Sequence, residues 1–260
     1  MSKSGTGEWA TEDKDLYYGC KNNCRYGYCR YTYTVRLKKV TGKTKDNWTE
    51  MVFRENNFRE KPKKVKGRLF CFAHHDITED TVDKCIEYMR KWLEVSNEIL
   101  IVSKPRIFCI RKICEELSQY MSQITFRFTI GSTCNEVLKF WERNAPSFEE
   151  RLECLIYAYN AGYKTSVSAE PYLDATIESL VTTLMPYITD TIWIGKVNKL
   201  DQRLDKTDWT DKGDRYLEVL ERMQTDEKVR ELYEKFKDNP KIRFKDSIKK
   251  VIGLPEEEIG

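Results

Sequence analysis

No run of about 18 or more apolar residues occurs in the 260-residue chain, so no membrane-spanning helix is expected. Residues 1 to 19 hold no apolar run either, and no secretory leader is expected. Net charge is also scarce. Lys and Arg number 45 against 42 Asp and Glu, leaving +3, so the totals do not indicate a generic nucleic-acid binder. Histidine is confined to the adjacent pair His74 and His75, and no cysteine follows Cys154. With no repeat or linker to divide it, the chain is long enough for one large α/β domain with a real core.

What the chain does have is cysteine, nine in all. An odd count without small-domain disulfide spacing points to a reducing cytosol, so a cytoplasmic location is expected. Cys20, Cys24 and Cys29 fall within ten residues, in a stretch whose Gly and Asn content predicts a loop. Thiolates this close can converge on one metal centre. Three of them without a fourth ligand near by suit a cubane iron–sulfur cluster with one open iron. A closed zinc site would want a fourth Cys or His. The six other cysteines lie in apolar contexts and read mostly as small core residues.

Beyond the cysteine loop, short apolar runs alternate with helical patterns. Residues 1 to 15 read as frayed, Tyr31 to Leu37 as a strand candidate, and 38 to 66 as a charged insertion. Strands are expected at Arg68 to Ala73, Glu98 to Ser103, Ile124 to Ile130, Lys164 to Ala169 and Thr191 to Gly195, with a last one at Lys241 to Phe244. Helical patterns lie between them, and Gly162 is placed to cap one of them at its C-terminal end. A long charged helix is expected over roughly 213 to 237. Such alternation predicts parallel β/α units.

The strand faces favour a barrel. Thr125, Arg127 and Thr129 alternate with Phe126, Phe128 and Ile130, and Ser166, Ser168 and Glu170 likewise share one side. Polar faces on successive parallel strands suit the inside of a barrel holding a polar ligand, with the site at the strands' C-terminal ends. A packed interior remains the alternative.

These residues carry a resemblance. Gly19-Cys-x3-Cys-Arg-Tyr-x-Tyr-Cys29, Ile101-Val-Ser-Lys104, Arg127-Phe-Thr-Ile130, Trp141-Glu-Arg-Asn-Ala-Pro-Ser147 with Arg151, and Ala161-Gly162 stand in the order found in radical S-adenosylmethionine (SAM) enzymes. The chain most resembles their spore photoproduct lyase-like branch over about residues 17 to 200. The resemblance implies a partial (β/α)6 TIM-type barrel over 16 to 205, with a C-terminal helical extension over 206 to 260. It implies a [4Fe-4S] cluster held by Cys20, Cys24 and Cys29, SAM on the fourth iron, and a 5′-deoxyadenosyl radical that takes hydrogen from a substrate. A reductant such as flavodoxin or ferredoxin would supply the electron.

The match departs from the family at its centre. The family spacing Cys-x3-Cys-x2-Cys would put the third thiolate at Gly27, whereas this chain has Cys-x3-Cys-x4-Cys. Glycine at 27 would let the loop swing Cys29 into place. Carried over residue by residue, Tyr28 stands where the family meets the adenine, and Lys104 and Thr129 match SAM-contacting positions. Ser166, Ser168 and Glu170 lie on a strand whose polar end approaches the ribose or methionine part, or they form a satisfied polar layer. Glu142 and Arg151 either touch SAM or pair with each other.

The lyase's hydrogen-donor cysteine falls here on Ala73, so photoproduct repair is not expected. Cys71 and Cys134 are the candidate replacements, with core roles as the alternative. His75, or its neighbour His74, is a candidate acid or base or a second-metal ligand. The basic run Arg59 to Arg68, with six basic residues against one acid, and the aromatics Tyr26, Tyr31 and Tyr33 leave a nucleic acid or nucleotide open as substrate. The competing reading is a non-catalytic or zinc-binding barrel that has lost the cluster.

Overall fold

In the computed structural model, which describes residues 5–255, seven parallel strands lie side by side in chain order. They are β1 (Glu12–Lys14), β4 (Arg68–Cys71), β5 (Glu98–Ser103), β6 (Ile124–Thr129), β7 (Lys164–Ala169), β8 (Ile192–Ile194) and β9 (Ile242–Phe244). A separate antiparallel pair joins β2 (Tyr17–Tyr18) to β3 (Val52–Phe53). β1 and β9 are the two edges of the sheet, so the barrel is partial rather than closed.

Residue alternation decides which face of the sheet is which. Leu69, Cys71, Ile99, Ile101, Phe126, Phe128 and Val167 face the helices and form the main core with them. The helix Val82–Glu94 shows why: it buries Val82, Cys85, Ile86, Tyr88, Met89, Trp92 and Leu93, the three- and four-residue spacing of one helical face. Replacing the fully buried Trp92 by alanine would cost about 3–5 kcal/mol.

The opposite face is the inside of the barrel. Arg127 pairs in register with Val102 and Ser166, and it lies between the rings of Trp9 (4.9 Å) and Trp193 (5.3 Å). Its Nε donates to Ser166 Oγ at 2.9 Å and its Nη2 to Asp190 at 3.2 Å. The polar layer is therefore packed at this level, although Arg127 Nη1 and the indole nitrogens of Trp9 and Trp193 have no hydrogen-bond partner among the described residues. Open space begins only at the strands' C-terminal ends.

Four expectations need correction. Residues 5–15 are not frayed: Trp9 and Ala10 are buried against Phe70, Leu100 and Trp193, and β1 pairs with β4. A three-residue strand is too short to show a period. Residues 31 to 37 are not a strand but continue the helix Tyr28–Tyr31 into a wider turn over Thr32–Arg36. The extension beyond 205 is not only helical, because it adds β9 to the sheet beside β8. Its long helix is two, Asp211–Met223 and Asp226–Phe236, divided at Thr225, whose Oγ1 accepts from Lys228 N and caps the second.

Candidate cluster and cofactor site

Gly19 sets the entry to the cysteine loop. Its φ of +99° is open to glycine, and Cys20 N donates to Trp48 O at 3.1 Å. The charged insertion thus supports the loop from one side. Trp48 is buried, and Lys43 Nζ, also buried, donates to the carbonyls of Asn47 and Glu50. From the other side Cys24 forms an antiparallel bridge with Glu142, and Arg25 N donates to Trp141 O at 2.8 Å. Gly27 has ordinary extended angles (φ −60°, ψ 112°), so its value is spatial rather than conformational. A Cβ there would approach Cys24 O to 3.0 Å. Cys29 then lies in the first turn of a helix, with Sγ 3.4 Å from Ala73 O.

The three thiols line one cavity of about 660 Å3 of free space, counting its open mouth, at the C-terminal ends of β4, β5 and β6. Burial pushes all three thiols above their ordinary pKa, Cys24 to about 11 although Lys104 pulls the other way. They stay protonated until a metal displaces the protons.

Asp76 is the hub of the cavity wall. Its Oδ1 accepts from Ser103 Oγ (3.0 Å) and Lys104 N (2.7 Å), and its Oδ2 accepts from Asn22 Nδ2 (2.7 Å). Burial alone would raise its pKa, but the Lys104 ammonium and these donors bring it below the ordinary value. Lys104 Nζ sits 4.0 Å from both Asp76 and Glu142, fixed between the two carboxylates. Glu142 also accepts from the buried Tyr26 hydroxyl and pairs with Arg151 at 2.5 Å.

A strap from the C-terminal side closes the loop from outside. Asp205, 2 % exposed, pairs with Arg30 (2.7 Å) and Arg143 (2.6 Å), and Arg25 donates to the carbonyls of Asp205 and Thr207. Burial opposes its charge, yet Thr207, Arg143 and Arg30 hold the Asp205 carboxyl down to about 2.

No family model and no curated protein matches the chain. Solved structures do match. Spore photoproduct lyase complexed with a dinucleoside spore photoproduct aligns over 94% of this chain and 78% of its own, with TM-score 0.56 and 16% identity. Streptococcus suis SuiB bound to S-adenosylmethionine aligns over 96% of this chain, with TM-score 0.54 and 11% identity. The chain spans about half of SuiB, 53% of its length. This chain has the fold that spore photoproduct lyase and SuiB share.

On this fold the predicted residues divide into groups. Cys20, Cys24, Cys29, Tyr28, Lys104, Thr129 and His75 all line the thiol cavity. Glu142 and Arg151 lie behind its wall and pair with each other, the second of the two alternatives; Arg151 also donates to Thr129 O and Pro146 O. Ser166 and Ser168 belong to the packed inner layer below, and Glu170 lines a neighbouring cavity.

The proposed hydrogen donors are displaced. Cys71 lies on the helix-packed face of β4, buried in the main core, because its neighbour Phe70 takes the inner face. Cys134 precedes the helix Asn135–Trp141 and packs with Cys24 against the Trp141 group without lining the cavity. His75 has a structural role: its Nε2 accepts from Leu16 N, its ring stacks on Phe72, and burial lowers its pKa. His74 is the histidine that Asp15 and Tyr33 orient at the cavity.

Of the aromatics read as a nucleic-acid platform, Tyr26 lines the cavity, whereas Tyr31 and Tyr33 do not. Tyr26 and Tyr33 are buried with their hydroxyls engaged. The basic run leads into the N-terminal end of β4, opposite the cavity. Sequence reasoning missed Asn22, Asp15 and Asp205; their partners are far away in the chain, and no local pattern marks them.

The donor set fits an iron–sulfur cluster. Three thiols share one wall with a buried cation, Lys104, able to balance the negative charge of a thiolate-ligated cluster. Among the described residues no three His, Cys, Asp or Glu side chains converge closely enough for a lone metal ion. Cluster ligands bind separate irons and stand further apart.

Proposed function

We propose that the chain is a radical SAM enzyme, with Cys20, Cys24 and Cys29 holding a [4Fe-4S] cluster and SAM seated beside it in the same cavity. When bound and reduced by a carrier such as flavodoxin or ferredoxin, the pair supplies a 5′-deoxyadenosyl radical able to abstract hydrogen from a substrate. The observation that carries this reading is the convergence of all three thiols with Lys104, Thr129 and Tyr28 on one cavity at the strand ends.

The chain's own residues have defined parts in this. The thiols each give up a proton on loading and hold iron as thiolates. Lys104, fixed by Asp76 and Glu142, sets a positive charge against the site. Thr129 and Tyr28 border the space beside the thiols, and Trp48 and Phe72 help to exclude water. Photoproduct repair is not proposed, since Ala73 stands where a donor cysteine is needed and Cys71 faces the core.

Anaerobic reconstitution tests the reading. A brown protein absorbing near roughly 400 nm that forms 5′-deoxyadenosine with SAM and reductant is expected. A colourless protein retaining one zinc would overturn it.

A further inference from the structure

A second cavity, with about 1290 Å3 of open space, lies at the C-terminal ends of β7, β8 and β9. Tyr28 lines both cavities, so only that ring's neighbourhood divides them. Two carboxyl groups of this second wall hold one ammonium. Lys245 Nζ lies 2.6 Å from Glu8 and 3.7 Å from Glu170, and 4.1 Å from the centre of the Trp9 ring. Asp246, next in the chain, is 6% exposed, and neither of its oxygens has a hydrogen-bond partner among the described residues.

A carboxylate that is buried and unbonded is costly, and such groups call for a partner that arrives from outside. Glu170 tells the same story. Burial lifts it to about 7 against the pull of Lys245, and Glu8 and Asp246 add to the rise. Of the cations in this wall, Lys245 is held by Glu8, Arg203 lies 4.8 Å over the Tyr28 ring, and Lys199 and Lys250 are exposed to solvent. Among the described residues, the buried charged group of this wall with neither a hydrogen bond nor an ion pair is Asp246.

We propose that this cavity is the substrate site and that it takes a substrate bearing an ammonium or guanidinium group, bound between Asp246 and Glu170. The proposal rests on the reading that the adjoining cavity houses the cluster and SAM. A cationic group here would lie across Tyr28 from the thiols, and the rest of the substrate would reach past that ring.

Calorimetric titration of the full-length protein with agmatine, and with butyrate as its anionic counterpart, tests the proposal. Agmatine should bind, butyrate should not, and both Asp246→Asn and Glu170→Gln should weaken agmatine by about tenfold or more. No agmatine binding, binding that both variants leave unchanged, or a preference for butyrate overturns it. Should one variant fail to fold by circular dichroism, the other decides. The two readings fail separately. Agmatine binding without SAM cleavage sinks the radical reading alone, and SAM cleavage without agmatine binding sinks this proposal alone.

Discussion

Glu142 and Arg151 form an ion pair 2.5 Å apart with both side chains fully buried. Glu142 bridges to Cys24 through its backbone, and Arg151 holds the last carbonyl of β6 at Thr129. The pair therefore ties the cysteine loop to the strand end that borders the cavity. Removing one partner strands a charge in the interior. Arg151→Ala should lower unfolding free energy by about 3–5 kcal/mol in urea titrations. In a double-mutant cycle, adding Glu142→Gln to it should cost far less than either change alone.

Cys29 is the proposed ligand whose spacing departs from the family pattern, so its removal is the sharpest test of the site. Cys29→Ala should bind less than about half the iron of the parent after reconstitution. Cys134→Ala and Cys71→Ala should bind as much as the parent, because neither thiol lines the cavity. Unchanged iron in the Cys29 variant would reject the ligand set.

Glu170 gives the fold a pH dependence of defined sign. Its pKa is raised from 4.5 to about 7, chiefly by burial. Its contribution to stability is fully present below about 4.5 and is lost as pH rises through 7. Glu170→Gln should thus gain on the parent between pH 5 and 8, by at most roughly 3 kcal/mol. Thermal unfolding of both proteins across that range checks it; a gap that narrows with rising pH refutes the assignment.

Gly19 leaves no room for a side chain. A Cβ there would collide with the carbonyl oxygens of Glu50 and Trp48, the latter at 2.7 Å, and φ is +99°. Gly19→Ala should destabilise by about 2 kcal/mol or more and should displace Cys20, so iron loading falls with it. Equal loading and equal Tm would show that the loop entry can relax.

Much of this was legible in the residues. β5 and β7 fall at their expected bounds, since six-residue apolar or alternating runs declare themselves, and Gly162 ends its helix with φ +86° as expected. β1 could not be read, because three residues between polar neighbours show no period. Tyr31 to Leu37 alternates like a strand, but the helical start at Tyr28 overrides that pattern. The three thiols that gather at the cavity announced themselves by spacing. Asp76 stood beside the histidines without revealing its role, which depends on Asn22 and Lys104 from other elements.

Asp205 joins Arg30, one residue beyond Cys29, to a segment from the C-terminal part of the chain. With the cluster held as proposed, its colour reports on this ion pair as well. A protease nick near Lys206 would let the Arg30 turn drift, and bleaching would follow although every thiol remained intact. The seam between the two halves of the chain works as a latch on the cysteine loop.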